Sequence, residues 1–212
     1  NTEDPIKDYL PLEIEPKGEP VRIKHLLNHS SGIPALAYVE NSIRNTLGTA
    51  ENWTPISDSD DMLDFINGAE DWVYSEPGSR WFYLNEGYAL LGTIIEKCSD
   101  LPYEEYVKKN VLTPLNMDET FFDLKKVKEN DDAAVPYILT KDKDQVPSEY
   151  PTIKISADGA LISNVVDLSH YIRMYLNGGK LEGERIVTEE SLEEMESYSI
   201  LTPGRDGPFG ET

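Results

Sequence analysis

Glu76-Pro77-Gly78-Ser79-Arg80-Trp81-Phe82-Tyr83-Leu84-Asn85-Glu86-Gly87-Tyr88-Ala89-Leu90-Leu91-Gly92 is the stretch on which the reading of this 212-residue chain turns. Trp81-Phe82-Tyr83 is a short aromatic strand signal. After Asn85 the pattern changes period: Tyr88, Leu91, Ile94, Ile95 and Cys98 recur at the i, i+3, i+4 spacing of a helix with one buried face. A tyrosine and an asparagine are thus set at the mouth of a helix. Cys98, the one cysteine, falls in that apolar pattern and reads as a small core residue.

Working outward, the pattern is mostly helical. Ile23, Leu26 and Leu27 begin a short helix, and Met62, Leu63, Phe65 and Ile66 form another that Asn67-Gly68 ends. Pro102 opens a helix carrying Tyr103, Tyr106 and Val107, which must stop before Pro114. Val165, Leu168, Tyr171, Ile172, Tyr175 and Leu176 mark a further helix, with Ser163 or Asn164 as cap and Gly178-Gly179 as stop. Ser191, Leu192 and Met195 suggest a last short one. Besides Trp81–Tyr83, strand signals are confined to Val135–Leu139 and Arg185-Ile186-Val187. Segments 34–57 and 140–158 read as loops.

The composition bounds the function. Three Trp, twelve Tyr and five Phe with 39% hydrophobic residues support a packed core. Forty acidic against 19 basic residues give a formal charge of -21, which argues against nucleic acid and anionic lipid as partners and is otherwise a solvated surface. No apolar run reaches the roughly 18 residues of a membrane span. The polar residues 1–5 carry no signal-peptide pattern, so location is not legible. There is no repeat or low-complexity linker, and the expectation is one domain over 1–212.

Five blocks in order resemble the superfamily of class C β-lactamases, D-aminopeptidases and carboxylesterases, the penicillin-binding-protein-like serine hydrolases. The opening stretch is similar to its P-G-x-x-x-x-Y-S-N-x-G-Y-x-L-L-G signature. Asp4-Pro5-Ile6-Lys7-Asp8-Tyr9-Leu10-Pro11 resembles its opening block, and Ile23-Lys24-His25-Leu26-Leu27-Asn28-His29-Ser30-Ser31-Gly32-Ile33-Pro34 its I-R-H-L-L-T-H-T-S-G-L segment. Val111 to Met117 resembles I-x-x-P-L-G-M, and Ala157 to Ser163 resembles A-G-G-L-x-S. The resemblance implies an α/β fold of which this chain is the helix-rich central part. Most of the antiparallel sheet is expected in flanking sequence, and the chain, which begins on a motif without an initiator Met, is expected to be an internal piece of a longer protein. It also implies an extracytoplasmic or secreted setting.

The chemistry implied is acyl transfer to serine without a metal or other cofactor. The substrate would be a small molecule or peptide with an amide or ester bond. A serine hydroxyl is a weak nucleophile until a base takes its proton. A phenol, which ordinarily ionises near pH 10, serves only where a neighbouring cation such as the family's lysine stabilises the phenolate. By resemblance Tyr83 is the catalytic base, and Asn85 binds the substrate carbonyl or the lysine. Taken alone, a tyrosine before an amphipathic helix can be a packing residue, and Asn85 can be an N-cap, or do both jobs.

The nucleophile itself is absent. No lysine in the chain has a serine three residues before it, and no Lys-Ser/Thr-Gly or His-x-Gly triplet occurs. Ser30, Ser31 and Ser79 lack the lysine, and Ser31 is placed to bond local backbone. These residues alone are therefore expected to be inactive; a non-catalytic homologue that binds or assembles through the same cleft is the alternative. His25, His29 and His170 fit no zinc spacing and no triad, and are expected to hold turns by hydrogen bonds. The acidic runs at 58–61 and 129–132 lack the glycine and terminal glutamate of a calcium loop. Two departures stand out: Leu84 replaces the commoner Ser or Ala and is expected to narrow the cleft, and Asp158 replaces a glycine at a position expected to need positive φ.

Overall fold

The computed structural model describes residues 1–35, 59–148 and 157–202. Of the two segments expected to be loops, 34–57 and 140–158, residues 36–57 and 149–156 lie outside the described residues.

The N-terminal residues 1–22 wind past one side of the core, burying Ile6, Leu10, Leu12, Ile14 and Val21. They lead into α1 (Ile23–Leu27), α2 (Ser59–Asn67) and α3 (Asn85–Ser99). One hydrophobic cluster joins these parts through Leu26, Ile33, Met62, Leu63, Ile66, Leu84, Leu90 and Ile94. Burying each such side chain contributes roughly 2 kcal/mol. Asn67, expected to stop α2, also ties that helix to the N-terminal segment. Its Oδ1 accepts the Glu13 N–H at 2.8 Å, and its Nδ2 donates to the Pro11 carbonyl at 3.0 Å.

The buried face of α3 only partly coincides with the one its large apolar residues mark: Ile94 is buried and Leu91 packs against the core, but the face turns toward smaller residues. Glu86, Gly87, Ala89, Leu90, Gly92 and Ile94 face inward, while Cys98 is exposed. The reason is close approach. A Cβ on Gly92 would stand 2.5 Å from the Ala157 Cβ, and one on Gly87 would stand 3.5 Å from Leu26 Cδ2. Small residues let the neighbouring chain lie against the helix, and periodicity counted on large side chains misses them.

Beyond a left-handed Asp100 (φ 56), α4 (Tyr103–Val107) starts from Pro102 at its N-cap and runs on as a π-helical turn, Lys108–Leu112, ending before Pro114. A short α5 (Leu124–Lys128), unmarked by any apolar period, is capped by Asp123 accepting the Lys125 N–H. α6 (Val165–Leu176) is capped by Asn164, whose Oδ1 accepts the Val166 and Asp167 N–H groups, each at 2.9 Å. A last helix, α7 (Glu189–Glu196), starts from Thr188. Leu112, Leu115, Met117, Met174 and Leu181 form a second cluster, against which α6 packs through Met174. Its residues Val165, Ile172 and Leu176 are exposed.

Sheet is sparse, as expected for a helix-rich α/β part. Among the described residues β1 (Tyr137–Leu139) pairs antiparallel with β2 (Gln145–Pro147), and β3 (Lys180–Leu181) with β4 (Glu184–Arg185). β2 lies where a loop was expected; its three residues are too few to show an alternation. The third strand signal reaches only Arg185. Glu182 and Gly183 turn the second hairpin with positive φ at both positions, a primed turn that matches strand twist. Trp81–Tyr83 forms no strand and joins no ladder.

Candidate active site

The Tyr83-Leu84-Asn85 motif is built on the turn at 29–32. Four hydrogen bonds join the two segments. Tyr74 N–H donates to the Gly32 carbonyl at 3.0 Å, Gly78 N–H to Ser30 at 2.7 Å, and Phe82 N–H to His29 at 2.8 Å. Leu84 N–H donates to His29 Nδ1 at 3.1 Å. The approach is close enough that a Cβ on Gly32, at φ +78, would fall 2.1 Å from the Ser75 carbonyl oxygen. Only glycine fits there.

Tyr83 projects from this support and is 51% exposed. Its ring centroid lies 4.5 Å from that of His29 and 6.4 Å from that of Trp81. Tyr88, one turn into α3, lies 5.2 Å from His29 and donates its hydroxyl to the Leu27 carbonyl at 2.8 Å. Burial pushes the Tyr88 phenol up, with a smaller contribution from Tyr83. Burial also holds His29 below the ordinary imidazole range.

Leu84 corrects an expectation. It is 1% exposed and part of the first core cluster, so it anchors the motif inward and does not narrow the cleft. Asn85 is corrected too: the N-cap of α3 is Leu84, without a side-chain cap, and Asn85 is the first helical residue. Its half-buried carboxamide is not committed to capping. Tyr83 and Asn85 thus flank a buried leucine at the start of a helix, where free N–H groups carry partial positive charge.

The serines of the supporting turn are structural. Ser30 and Ser31 are buried; Ser30 Oγ donates to Asn28 Oδ1 at 2.5 Å and Ser31 Oγ accepts the Ile33 N–H at 3.2 Å. The histidines hold turns. His25 Nδ1 accepts the Arg22 N–H at 3.1 Å, and burial, with Lys24 and Arg22 adding to it, lowers His25 to about 4. His170 Nδ1 lies 3.0 Å from the Leu115 carbonyl oxygen, so that nitrogen carries the proton. Asp158 is absent from the positive-φ residues, and Gly159, at φ 146, takes that role; the expected strain at Asp158 does not exist. Among the described residues no three His, Cys, Asp or Glu side chains cluster as a metal site, and no helix is long and apolar enough to cross a membrane.

A helix-rich α/β scaffold presenting Tyr-x-Asn at a helix mouth is the arrangement of penicillin-binding-protein-like serine hydrolases. A solved octameric penicillin-binding protein homologue from Pyrococcus abyssi superposes with a TM-score of 0.82 at 43% identity, over 96% of this chain and 44% of that one. A D-stereospecific amidohydrolase from Streptomyces sp. shares the fold, with a TM-score of 0.71 at 23% identity over 93% of this chain and 58% of that one. Penicillin-binding protein 4* of Bacillus subtilis is 36% identical over 103 residues, 47% of this chain and 21% of the relative. The chain belongs to the beta-lactamase family, whose sequence model, described as Beta-lactamase, matches residues 1–211. It spans well under two thirds of the length of each of these relatives.

Proposed function

We propose that this chain supplies the Tyr-x-Asn element of a metal-independent serine hydrolase that cleaves amide or ester bonds through an acyl-enzyme. The observation that carries the reading is the exposed Tyr83 phenol held on a rigid support beside an Asn85 that caps nothing. In the reaction a serine Oγ attacks the substrate carbonyl carbon while its proton passes to the Tyr83 phenolate. The tetrahedral adduct then collapses to the acyl-serine, and the phenol returns that proton to the departing amine or alkoxide. Asn85 donates its amide N–H to the substrate carbonyl or accepts from the lysine that keeps Tyr83 ionised. Residues 1–212 are read as one unit, the helical part and rim of the catalytic domain, with the Ser-x-x-Lys pair contributed by sequence outside it. On this reading these residues alone form no acyl-enzyme. The amidohydrolase and penicillin-binding-protein relatives support an amide or ester substrate.

The absence of Ser-x-x-Lys in these residues also favours a second reading, a non-catalytic homologue that binds through the same cleft. A fluorophosphonate probe separates the two. Labelling of the full-length gene product, with none of the 212-residue chain, is the expected result. A full-length product that neither labels nor encodes Ser-x-x-Lys refutes the hydrolase and leaves the binder.

A further inference from the structure

Leu84 is the N-cap of α3, and its own N–H is a donor that the helix cannot satisfy. In a capping box that N–H is taken by a Glu or Gln side chain at the third helical position. Here the third position is Gly87, which has no side chain. The acceptor comes instead from another segment: His29 Nδ1, 3.1 Å away. Accepting there makes the ring the neutral tautomer protonated at Nε2.

The same residue holds the other side of Tyr83, since its carbonyl accepts the Phe82 N–H at 2.8 Å. Its ring lies against the phenol ring, with centroids 4.5 Å apart at an angle of 38°. The turn that allows all this sets His29 at φ +57, a left-handed conformation that costs a residue other than Gly or Asn about 1 kcal/mol. Both chain neighbours of Tyr83 and its ring are therefore fixed by one side chain and one carbonyl.

We infer that His29 is a positioning residue for Tyr83: it completes the open cap of α3 at Leu84, pins Phe82, and packs against the phenol, so that the hydroxyl stands at one place. The inference rests on Tyr83 acting as the base. It gives the His29-Ser30-Ser31-Gly32 turn a part in the chemistry without contact to substrate.

Two substitutions tolerate the left-handed backbone and differ in the acceptor. His29→Asn places Oδ1 near the position of Nδ1, whereas His29→Gly removes the acceptor and spares the turn. In the full-length product, hydrogen exchange at the Leu84 amide is expected to quicken at least about tenfold in His29→Gly and to stay within about threefold in His29→Asn. In the full-length product, His29→Gly is expected to lower kcat by about 10- to 100-fold with KM moving less than about threefold, and His29→Asn to recover most of that loss. Equal behaviour of the two variants in both measurements overturns the inference. So does a wild-type kcat for His29→Gly when Tyr83→Phe is inactive. A fully active Tyr83→Phe overturns the assignment of the base and, with it, the role of His29; unchanged Leu84 exchange in His29→Gly overturns the His29 contact alone.

Discussion

Replacing Leu84 by alanine removes three carbon atoms from a side chain that is 1% exposed and embedded in the cluster around Leu26 and Leu90. The transfer loss is roughly 2 kcal/mol, and the cavity left beside the glycine-lined face of α3 adds to it, for a total of about 3 kcal/mol. With a urea dependence of about 2 kcal/mol per molar, the unfolding midpoint falls by about 1.5 M. Leu84→Met keeps the volume and is expected to cost less than about 1.5 kcal/mol. Leu84→Ser is expected to destabilise at least as much as the alanine, although serine is common at this position in the resembling families, because here the hydroxyl would enter an apolar cluster. Urea unfolding followed by tryptophan fluorescence measures all three. A midpoint shift under about 0.5 M for Leu84→Ala would refute the inward placement of the motif and restore Leu84 to the cleft.

Two further outcomes follow from exposure and charge. Cys98 is exposed, so native protein should react with a chromogenic disulfide at one thiol per chain about as fast as unfolded protein; protection of a hundredfold or so would return Cys98 to the core. His25 titrates near 4 when folded against an ordinary 6.5, so the unfolded chain binds the extra proton first as pH falls. Its contribution is complete above about pH 6.5 and is lost between there and pH 4, by about 2 kcal/mol once solvent screening is allowed for. Melting of wild type and His25→Asn, whose Oδ1 can still accept the Arg22 N–H, should diverge in that window and run parallel above it. Parallel curves throughout would remove His25 from the acid sensitivity.

The helices were legible wherever a cap or stop and an apolar repeat agreed. Asn164 and Gly178-Gly179 bound α6, and Asn67-Gly68 ends α2, because these residue types satisfy or terminate helix ends whatever surrounds them. The inward face of α3 was legible only at Ile94 and Leu91. It depends on which chain lies against Gly87 and Gly92, and close backbone approach leaves only glycine and alanine as its trace. β2 was hidden for a different reason: a three-residue exposed strand is stabilised by pairing with Tyr137–Leu139, not by its own pattern. At the candidate site, Tyr83 and Asn85 were singled out by resemblance, whereas the His29 support was not. That one imidazole spans from a left-handed turn to the cap of a helix 55 residues later is a tertiary contact, and the sequence carries only the His29-Ser30-Ser31-Gly32 turn as its sign.

The role of Tyr83 is tested most directly by the rate at which the full-length product acylates on a chromogenic ester, compared between wild type and Tyr83→Phe. Phenylalanine keeps the ring against His29 and removes only the hydroxyl, so the fold and KM should hold while the acylation rate falls by about 10²- to 10⁴-fold, the worth of a general base. An acylation rate unchanged within about threefold would contradict it and leave the serine to be activated by another group.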